Sequence, residues 1–386
     1  MTSNSAIAAP KSIAIKESAI FAADIQSDGI ASSGTNVVTF TSTASATLDV
    51  TIVAKNSTGA DIWSKIIDSG QNELATVISS DSAGNIWLAG SSSSAPIADT
   101  ATPQSGALNP DGVSIEALSK LRKDMDQINI WQLSPDGNLA NTFVFPLKEA
   151  ALITAIAVDA KGVTVAGLRK NGAFVLSTSL AGSFGKVTSV GTSKTSINAV
   201  TRNSDGTVSA FGSSSETLGG KKLAGVVDGI LVKISKSAVV TSVVRSSAPK
   251  AKRSWNSSTP SHFLTGEVVS SKGSEIAITK FTPQFAPTWT TRYSGSGRSI
   301  GINLPGNSYA VAFTPSALPS GVTGAKLAKG QSIILIFDSK GVVKSAYTNP
   351  AMGAPMSATY TEDGGISVLA QGVGAQSLSI FRLNSR

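Results

Sequence analysis

VISSDSAGNIWLAG, Val77–Gly90, holds a short apolar strand, an Asp-Ser-Ala-Gly turn and a second strand that is apolar almost throughout and closes on Gly90. Edited copies recur: Ile156–Gly167 (IAVDAKGVTVAG), Ala199–Gly212 (AVTRNSDGTVSAFG), Ile302–Phe313 (INLPGNSYAVAF) and Thr359–Leu369 (TYTEDGGISVL). An Asp shortly before a Gly suits a tight reversal, because its carboxylate accepts backbone N–H groups two residues on. The stretch is therefore a β-hairpin, and its repetition organises the chain.

A second hairpin alternates with the first. It runs through Asn56–Gly59, Ser134–Gly137, the region of Gly182, Ser235–Ser237, Thr282–Gln284 and Asp338–Gly341. Turn positions 59, 137, 182, 237, 284 and 341 are separated by 78, 45, 55, 47 and 57 residues. A four-stranded unit with a period of about 45–55 residues is the signature of a β-propeller blade. The copies predict an all-β, single-domain propeller over residues 13–386 with seven four-stranded blades. Six or eight also fit, because the fifth unit, Phe263–Thr291, has a poor first strand. Residues 1–12 read as a flexible lead-in. The last copy, Leu378–Leu383, lacks its outer strand, and the orphan strand near Ala19–Ala23 is placed to supply it and close the ring. A pair of β-sandwiches is the alternative for so many short strands; in-phase repetition along the chain speaks against it.

The single long gap contains an insertion, residues 91–127. Within Val113–Met125 the apolar Ile115, Leu118, Leu121 and Met125 recur at helical spacing, and Asp111 sits at a capping position. The insertion is expected to carry a short amphipathic helix that covers apolar surface or docks a partner.

Charged residues make up only 15 % of the 386 residues, against roughly 25 % in an average soluble domain, so the polar surface is hydroxylic rather than ionic. A net charge of +8 is a weak bias towards anionic partners, and without an Arg-rich run it argues against nucleic acid. No Cys and a single His, His262, exclude disulfides, thiolate sites and multi-histidine zinc sites. No apolar run reaches the roughly 18 residues of a membrane-spanning helix, and the first residues lack the pattern of a secretory leader. The low-charge Ser/Thr-rich composition leads to the expectation of an exported or cell-envelope protein whose leader or anchor is not in the sequence, with a cytoplasmic location left open.

The run Asp81–Ser92 (DSAGNIWLAGSS), with Thr102–Ala107 after it and with Val227-Asp228-Gly-Ile-Leu-Val-Lys233 in a later unit, resembles the bacterial SBBP-type β-propeller repeat. The likeness is strongest around residues 77–110 and 196–245. Other units depart from it: Gln127 and Gln331 stand in the acidic position and Phe313 replaces the closing Gly. The resemblance implies a propeller of exported or envelope proteins concerned with binding or display, and it implies no catalytic residues.

Several constellations could carry chemistry. Asp81, Asp159, Asp205 and Asp363 recur in the inner turns and could ring one face with carboxylates for Ca²⁺ or glycan cleavage, but turn chemistry accounts for them, and no Asp-x-Asp-x-Asp-Gly loop exists. His262 has no Gly-x-Ser-x-Gly elbow beside it and reads as structural. Four tryptophans, Trp63, Trp87, Trp131 and Trp289, lie in strands and read as packing. The densest basic cluster, Lys250, Lys252 and Arg253 with Trp255, is read as an inter-blade loop and as the binding candidate, because a cation beside a stacking ring suits acidic glycans or nucleic acid. The expected function is a non-enzymatic binding or display module, monomeric or part of a larger surface protein, that contacts a protein or polysaccharide through loops on one face. It needs no catalytic residue, metal or cofactor. The alternatives are a glycan-active lyase or hydrolase with channel carboxylates, and anionic-polymer binding through residues 250–255.

Overall fold

The computed structural model describes residues 12–44, 47–94, 124–324, 326–361 and 363–383. Two strands, β1 (Ile13–Glu17) and β2 (Ala19–Ile25), precede the first sheet. That sheet contains β3 (Gly29–Ser33), β4 (Asn36–Ala44), β5 (Leu48–Lys55) and β6 (Asp61–Ile67). The second contains β7 (Glu73–Ser80), β8 (Ile86–Ser92), β9 (Gln127–Leu133) and β10 (Leu139–Pro146). The third contains β11 (Ala151–Asp159), β12 (Gly162–Arg169), β13 (Gly172–Thr178) and the short β14 (Thr188–Val190). The fourth is built from β15 (Thr195–Arg202), β16 (Val208–Ser214), β17 (Asp228–Ile234) and β18 (Val240–Ser246). The fifth is built from β19 (Lys252–Ser258), β20 (Phe263–Ser270), β21 (Gly273–Phe281) and β22 (Pro287–Ser294).

The sixth sheet takes β23 (Ile300–Leu304), β24 (Ser308–Phe313), β25 (Val322–Thr323), β26 (Ile333–Phe337) and β27 (Val343–Thr348). The last takes β28 (Met352–Thr361), β29 (Gly365–Gly372) and β30 (Leu378–Leu383). The orphan strand β2 pairs antiparallel with β30 and completes that last sheet.

Six sheets are four-stranded, and the sixth in chain order has six strands. The expectation of seven four-stranded blades is corrected on this point. β1 runs parallel to β27 and carries β25 on its far side. Its alternating Ile13 and Ile15 pack on the apolar cluster of Phe313, Leu335 and Phe337, which makes the extra edge strand stable. The expected amphipathic helix, Val113–Met125, lies outside the described residues except for Asp124 and Met125, which are not helical, and most of the lead-in lies outside them too. Among the described residues there is no α-helix, only a 3-10 turn at Pro305–Asn307. The two ends of the insertion are pinned together, since Ser94 N and Oγ donate to Asp126 at 3.0 and 2.9 Å.

The apolar core is not central. It is divided among clusters that each lie between successive sheets: Phe40 and Ile52 meet Leu88 and Trp131, Val165 and Phe174 meet Trp87 and Ile130, and so on around the ring. The circuit ends where Leu369 and Ile380 of the last sheet meet Ile30 and Val37 of the first. Strands buried on both faces explain the near-continuous apolar runs of the second and third strands, such as β8 and β17.

The first strand of each sheet faces the axis, and there five ladders slip, four of them in the same way. The ladder slips between Ala75 and Val77, Ile153 and Ala155, Ile197 and Ala199, and Trp255 and Ser257. Each slip is a β-bulge that leaves one extra residue, Thr76, Thr154, Asn198 or Asn256. Opposite each bulge, on the second strand, stands Gly90, Gly167, Gly212 or Gly266. The bulge drives a backbone carbonyl into the place of a Cβ: Leu74 O at Gly90, Leu152 O at Gly167, Ser196 O at Gly212 and Ser254 O at Gly266. The pairs β3–β4 and β23–β24 have no slip and no such glycine; Ala312 and Phe313 occupy the position in β24. In these four sheets the closing Gly is thus the counterpart of a bulge; in the last sheet, where the ladder slips between Pro355 and Ser357, Ala370 stands opposite instead.

Candidate functional site: a cationic funnel at the channel mouth

Because consecutive strands in a sheet alternate in direction, first-to-second and third-to-fourth turns lie on one face of the ring. Second-to-third connections and links to the next sheet lie on the other, here called the upper face. The inner-turn carboxylates belong to the lower face. Asp81 accepts from Ala83 N, Asn85 N and Nδ2, and Trp87 Nε1 at 2.9–3.0 Å. Burial works against its charge, yet the donors of Trp87, Asn85 and Ala83 hold its pKa below the usual Asp value. Asp159 accepts from Lys161 N and Gly162 N and pairs with Arg202. Asp205 is held by Thr207 N and Oγ1. None of these, nor Asp363, lines the channel. They are turn residues.

On the upper face the bulges open a funnel of about 470 Å³ lined by Thr76, Thr154, Asn198, Asn256, Glu267 and Arg298. A bulge re-aims the side chain it carries, and three of the four extra residues use it to tie inner strand to inner strand. Thr76 Oγ1 donates to Ile153 O at 2.7 Å, Thr154 Oγ1 to Ile197 O at 2.5 Å, and Asn198 Nδ2 to Trp255 O at 2.9 Å. Each acceptor is the carbonyl just before the next bulge. The fourth, Asn256, faces the unbulged sixth sheet, where that carbonyl is missing. Its Oδ1 accepts from Ser254 Oγ at 3.1 Å, and its amide NH₂ donates to no group among the described residues.

Arg298 projects from the link between β22 and β23 at this gap. The link is fixed on both sides: Gly297 N donates to Glu267 Oε1 at 3.1 Å, and Ser299 O accepts from Thr265 Oγ1 at 3.0 Å. Glu267 shares the funnel but forms no ion pair with Arg298, and no other carboxylate among the described residues does. The side chain is open to the mouth, while the protein walls displace enough water to lower its pKa. A guanidinium carried on an anchored link, with an unspent amide donor lining the same funnel, can seat an anion.

The four residues read from the sequence as one exposed basic loop divide into two pairs. Lys250 and Lys252 are exposed. Lys252 opens β19, and Arg253 and Trp255 lie within it rather than in a loop and are 7 % and 0 % exposed. The guanidinium of Arg253 lies 4.5 Å from the Trp255 ring centroid. Burial, with Arg292 nearby, pushes its pKa down to about 10. Trp255 fills the space between the fourth and fifth sheets with Phe211 and Phe281. β19 escapes detection because its channel face is polar, Ser254 and Asn256, and its packing face is an Arg and a Trp. Lys250 shares an upper-face notch with Lys272 and with Arg292, which pairs with Glu275 at 3.3 Å, so the fifth sheet presents Lys250 and Lys272 on the upper face. Arg298 itself, alone in Gly295–Ser299, gave no signal in sequence. The bulge residues left one: a lone Thr or Asn between apolar neighbours, as in Ala75-Thr76-Val77 and Ile197-Asn198-Ala199.

His262 occupies the turn after β19 with φ 60. Its Nε2 lies 3.1 Å from Ser209 Oγ, and its ring meets Phe211 and Phe285 edge-on. Burial, with Lys280 and Lys233 adding, pushes its pKa down to about 4. It is a neutral packing histidine. Asp228 of the Asp228–Lys233 pattern is fully buried, accepting from Ala224 N, Gly225 N and Arg245 at 2.8–3.1 Å. Gln331 does the same work in the sixth sheet by accepting from Ala328 N at 2.8 Å, which explains why an amide replaces the acid there.

No protein-family model matches the chain, and no curated protein matches it in sequence. Solved structures do match in shape. The β-propeller domain of the Trilobed protease from Pyrococcus furiosus, described as having an open velcro topology, superposes with a TM-score of 0.51 at 10 % identity over 93 % of this chain and 95 % of its own. A protein from Lactobacillus plantarum gives 0.51 at 12 % identity, covering 86 % and 87 %. The fold is a β-propeller. At these identities the likeness extends to the fold alone; in this chain the last sheet is closed by β2.

Proposed function

We propose that this propeller is a non-enzymatic binding or display module that seats an acidic group of a polysaccharide in the upper-face funnel. One observation carries the reading: at the junction of the bulged fifth sheet with the unbulged sixth, Arg298 and the Asn256 amide line one funnel with no acceptor for either among the described residues. The exposed Lys250, Lys252 and Lys272 extend the positive rim over which an anionic chain would lie. The hydroxyl-rich lining and low charge of the chain suit a sugar polymer rather than a base-reading interface. The resemblance to SBBP-type repeats, supported by the closing glycines and by Asp228 with Lys233, favours a place outside the cytoplasm. The repeated aspartates give the glycan-cleaving alternative no support, since they lie on the other face and Asp81, Asp159 and Asp205 are held by their own turns; the funnel itself holds the single carboxylate Glu267.

The test is titration with polygalacturonate, with neutral dextran as control. A charge-assisted hydrogen bond is worth about 1.5–3 kcal/mol, so Arg298→Ala is expected to weaken polygalacturonate binding by about ten- to a hundredfold. Lys252→Ala should mainly flatten the salt dependence. Equal binding of dextran, or an Arg298→Ala variant that binds as the parent does, would refute the proposal.

A further inference from the structure

We infer that the upper rim between the first and second sheets carries a calcium site made by Asp49, Asp68 and Glu73. Asp49 lies near the start of β5, Asp68 follows β6 directly, and Glu73 opens β7. No sequence spacing announces them, because they come from three strand ends that only the fold brings together. Each offers a carboxylate oxygen, and the three oxygens lie within 4.8 Å of one another. Two oxygens bound to one Ca²⁺ at about 2.3–2.6 Å are at most about 5 Å apart, so the spacing is that of ligands around one ion.

The second observation is Glu73 itself. It is 1 % exposed, and its Oε2 has no hydrogen-bond partner. Its other oxygen takes the Ser69 hydroxyl. No Lys or Arg among the described residues pairs with Glu73 or Asp68. A buried carboxylate oxygen left bare beside two further carboxylates is costly unless a cation neutralises it. The donors are all oxygen, with Thr47 Oγ1 also at 2.5 Å from Asp49 Oδ1, which selects a hard cation. Their unequal exposure and irregular origin suit the adaptable shell of Ca²⁺ better than the strict octahedron of Mg²⁺.

The site would also brace the root of the insertion. Asn72, next to Glu73, exchanges hydrogen bonds with Ser93 at 3.0 and 3.1 Å and accepts from Leu48 N at 3.1 Å.

The experiment is calorimetric titration of the metal-stripped full chain with CaCl₂, together with its melting temperature in CaCl₂ and in chelator. One equivalent should bind with a dissociation constant on the order of 10⁻⁴–10⁻³ M or tighter, with a rise in melting temperature. Glu73→Gln and the exposed Asp68→Asn should each weaken binding at least about tenfold. In chelator Glu73→Gln should melt no lower than the parent, because it removes the bare buried charge. Absence of any calcium response in the parent, or an undiminished response in Glu73→Gln or Asp68→Asn, would overturn the inference. An equal response to MgCl₂ would overturn the assignment to calcium.

Discussion

Adding one methyl group at Gly212 tests the pairing of glycine with bulge. In Gly212→Ala the new Cβ would stand 2.8 Å from Ser196 C and 2.9 Å from Ile197 Cα, and closer still to Ser196 O. All three are backbone atoms, so no rotamer change relieves the clash, and the bulge itself must move. Overpacking of this kind costs about 1–3 kcal/mol, and the immovable neighbours place it at the upper end. A displaced bulge also loses the Asn198 Nδ2 to Trp255 O bond, worth about 1 kcal/mol. The sum is about 4 kcal/mol, a large share of the roughly 5–15 kcal/mol typical of a folded domain. With a urea slope of about 3 kcal/mol/M the unfolding midpoint should fall by about 1.3 M. Equilibrium denaturation followed by tryptophan fluorescence measures it. Gly330→Ala is the control: that glycine has φ 82 and open space where a Cβ would lie, so it should cost only about 1 kcal/mol. A Gly212→Ala cost no greater than the control would refute the account of the closing glycine.

His262 titrates at about 4 in the fold against 6.5 unfolded. Between those values the unfolded chain binds the extra proton, so the contribution is complete above pH 6.5 and is lost as pH falls towards 4, by up to about 3 kcal/mol. His262→Asn, which tolerates the positive φ, should show a smaller loss between pH 7 and pH 4.5 in the same urea titration; a loss equal to the parent's would show that His262 is not the group responsible. Breaking the buried pair of Asp228 and Arg245, whose side chains are 0 % and 7 % exposed, by Asp228→Asn should cost about 3–5 kcal/mol. A melting temperature unchanged from the parent's would contradict that.

The repeat was legible because most second and third strands are buried on both faces, as in β8 and β17, and each reversal needs its own turn residues. First strands were harder to read. They face a polar channel, so the inward position of β19 carries Ser254 and Asn256, and the remaining Arg253 and Trp255 look like a binding loop when they are packing. The same inversion hid the site. Thr76, Thr154 and Asn198 differ little from ordinary strand residues until their partners on the next sheet are known, and Arg298 gains its meaning only from an acceptor that the sixth sheet does not provide. Asp49, Asp68 and Glu73 are likewise brought together by tertiary structure across two sheets.

The closure of the ring also has a kinetic side. Ser18 hydrogen-bonds Thr348 across 330 positions of sequence, and β2 waits for β30, among the last described residues, before it has a partner. During synthesis β2 therefore waits with an unsatisfied edge until residues 378–383 have emerged, and the last sheet cannot form before then. Contacts this distant slow folding, and unpaired edges in the interval invite association between chains. The strand that seals the finished ring is thus the one most in need of protection while the ring is being made.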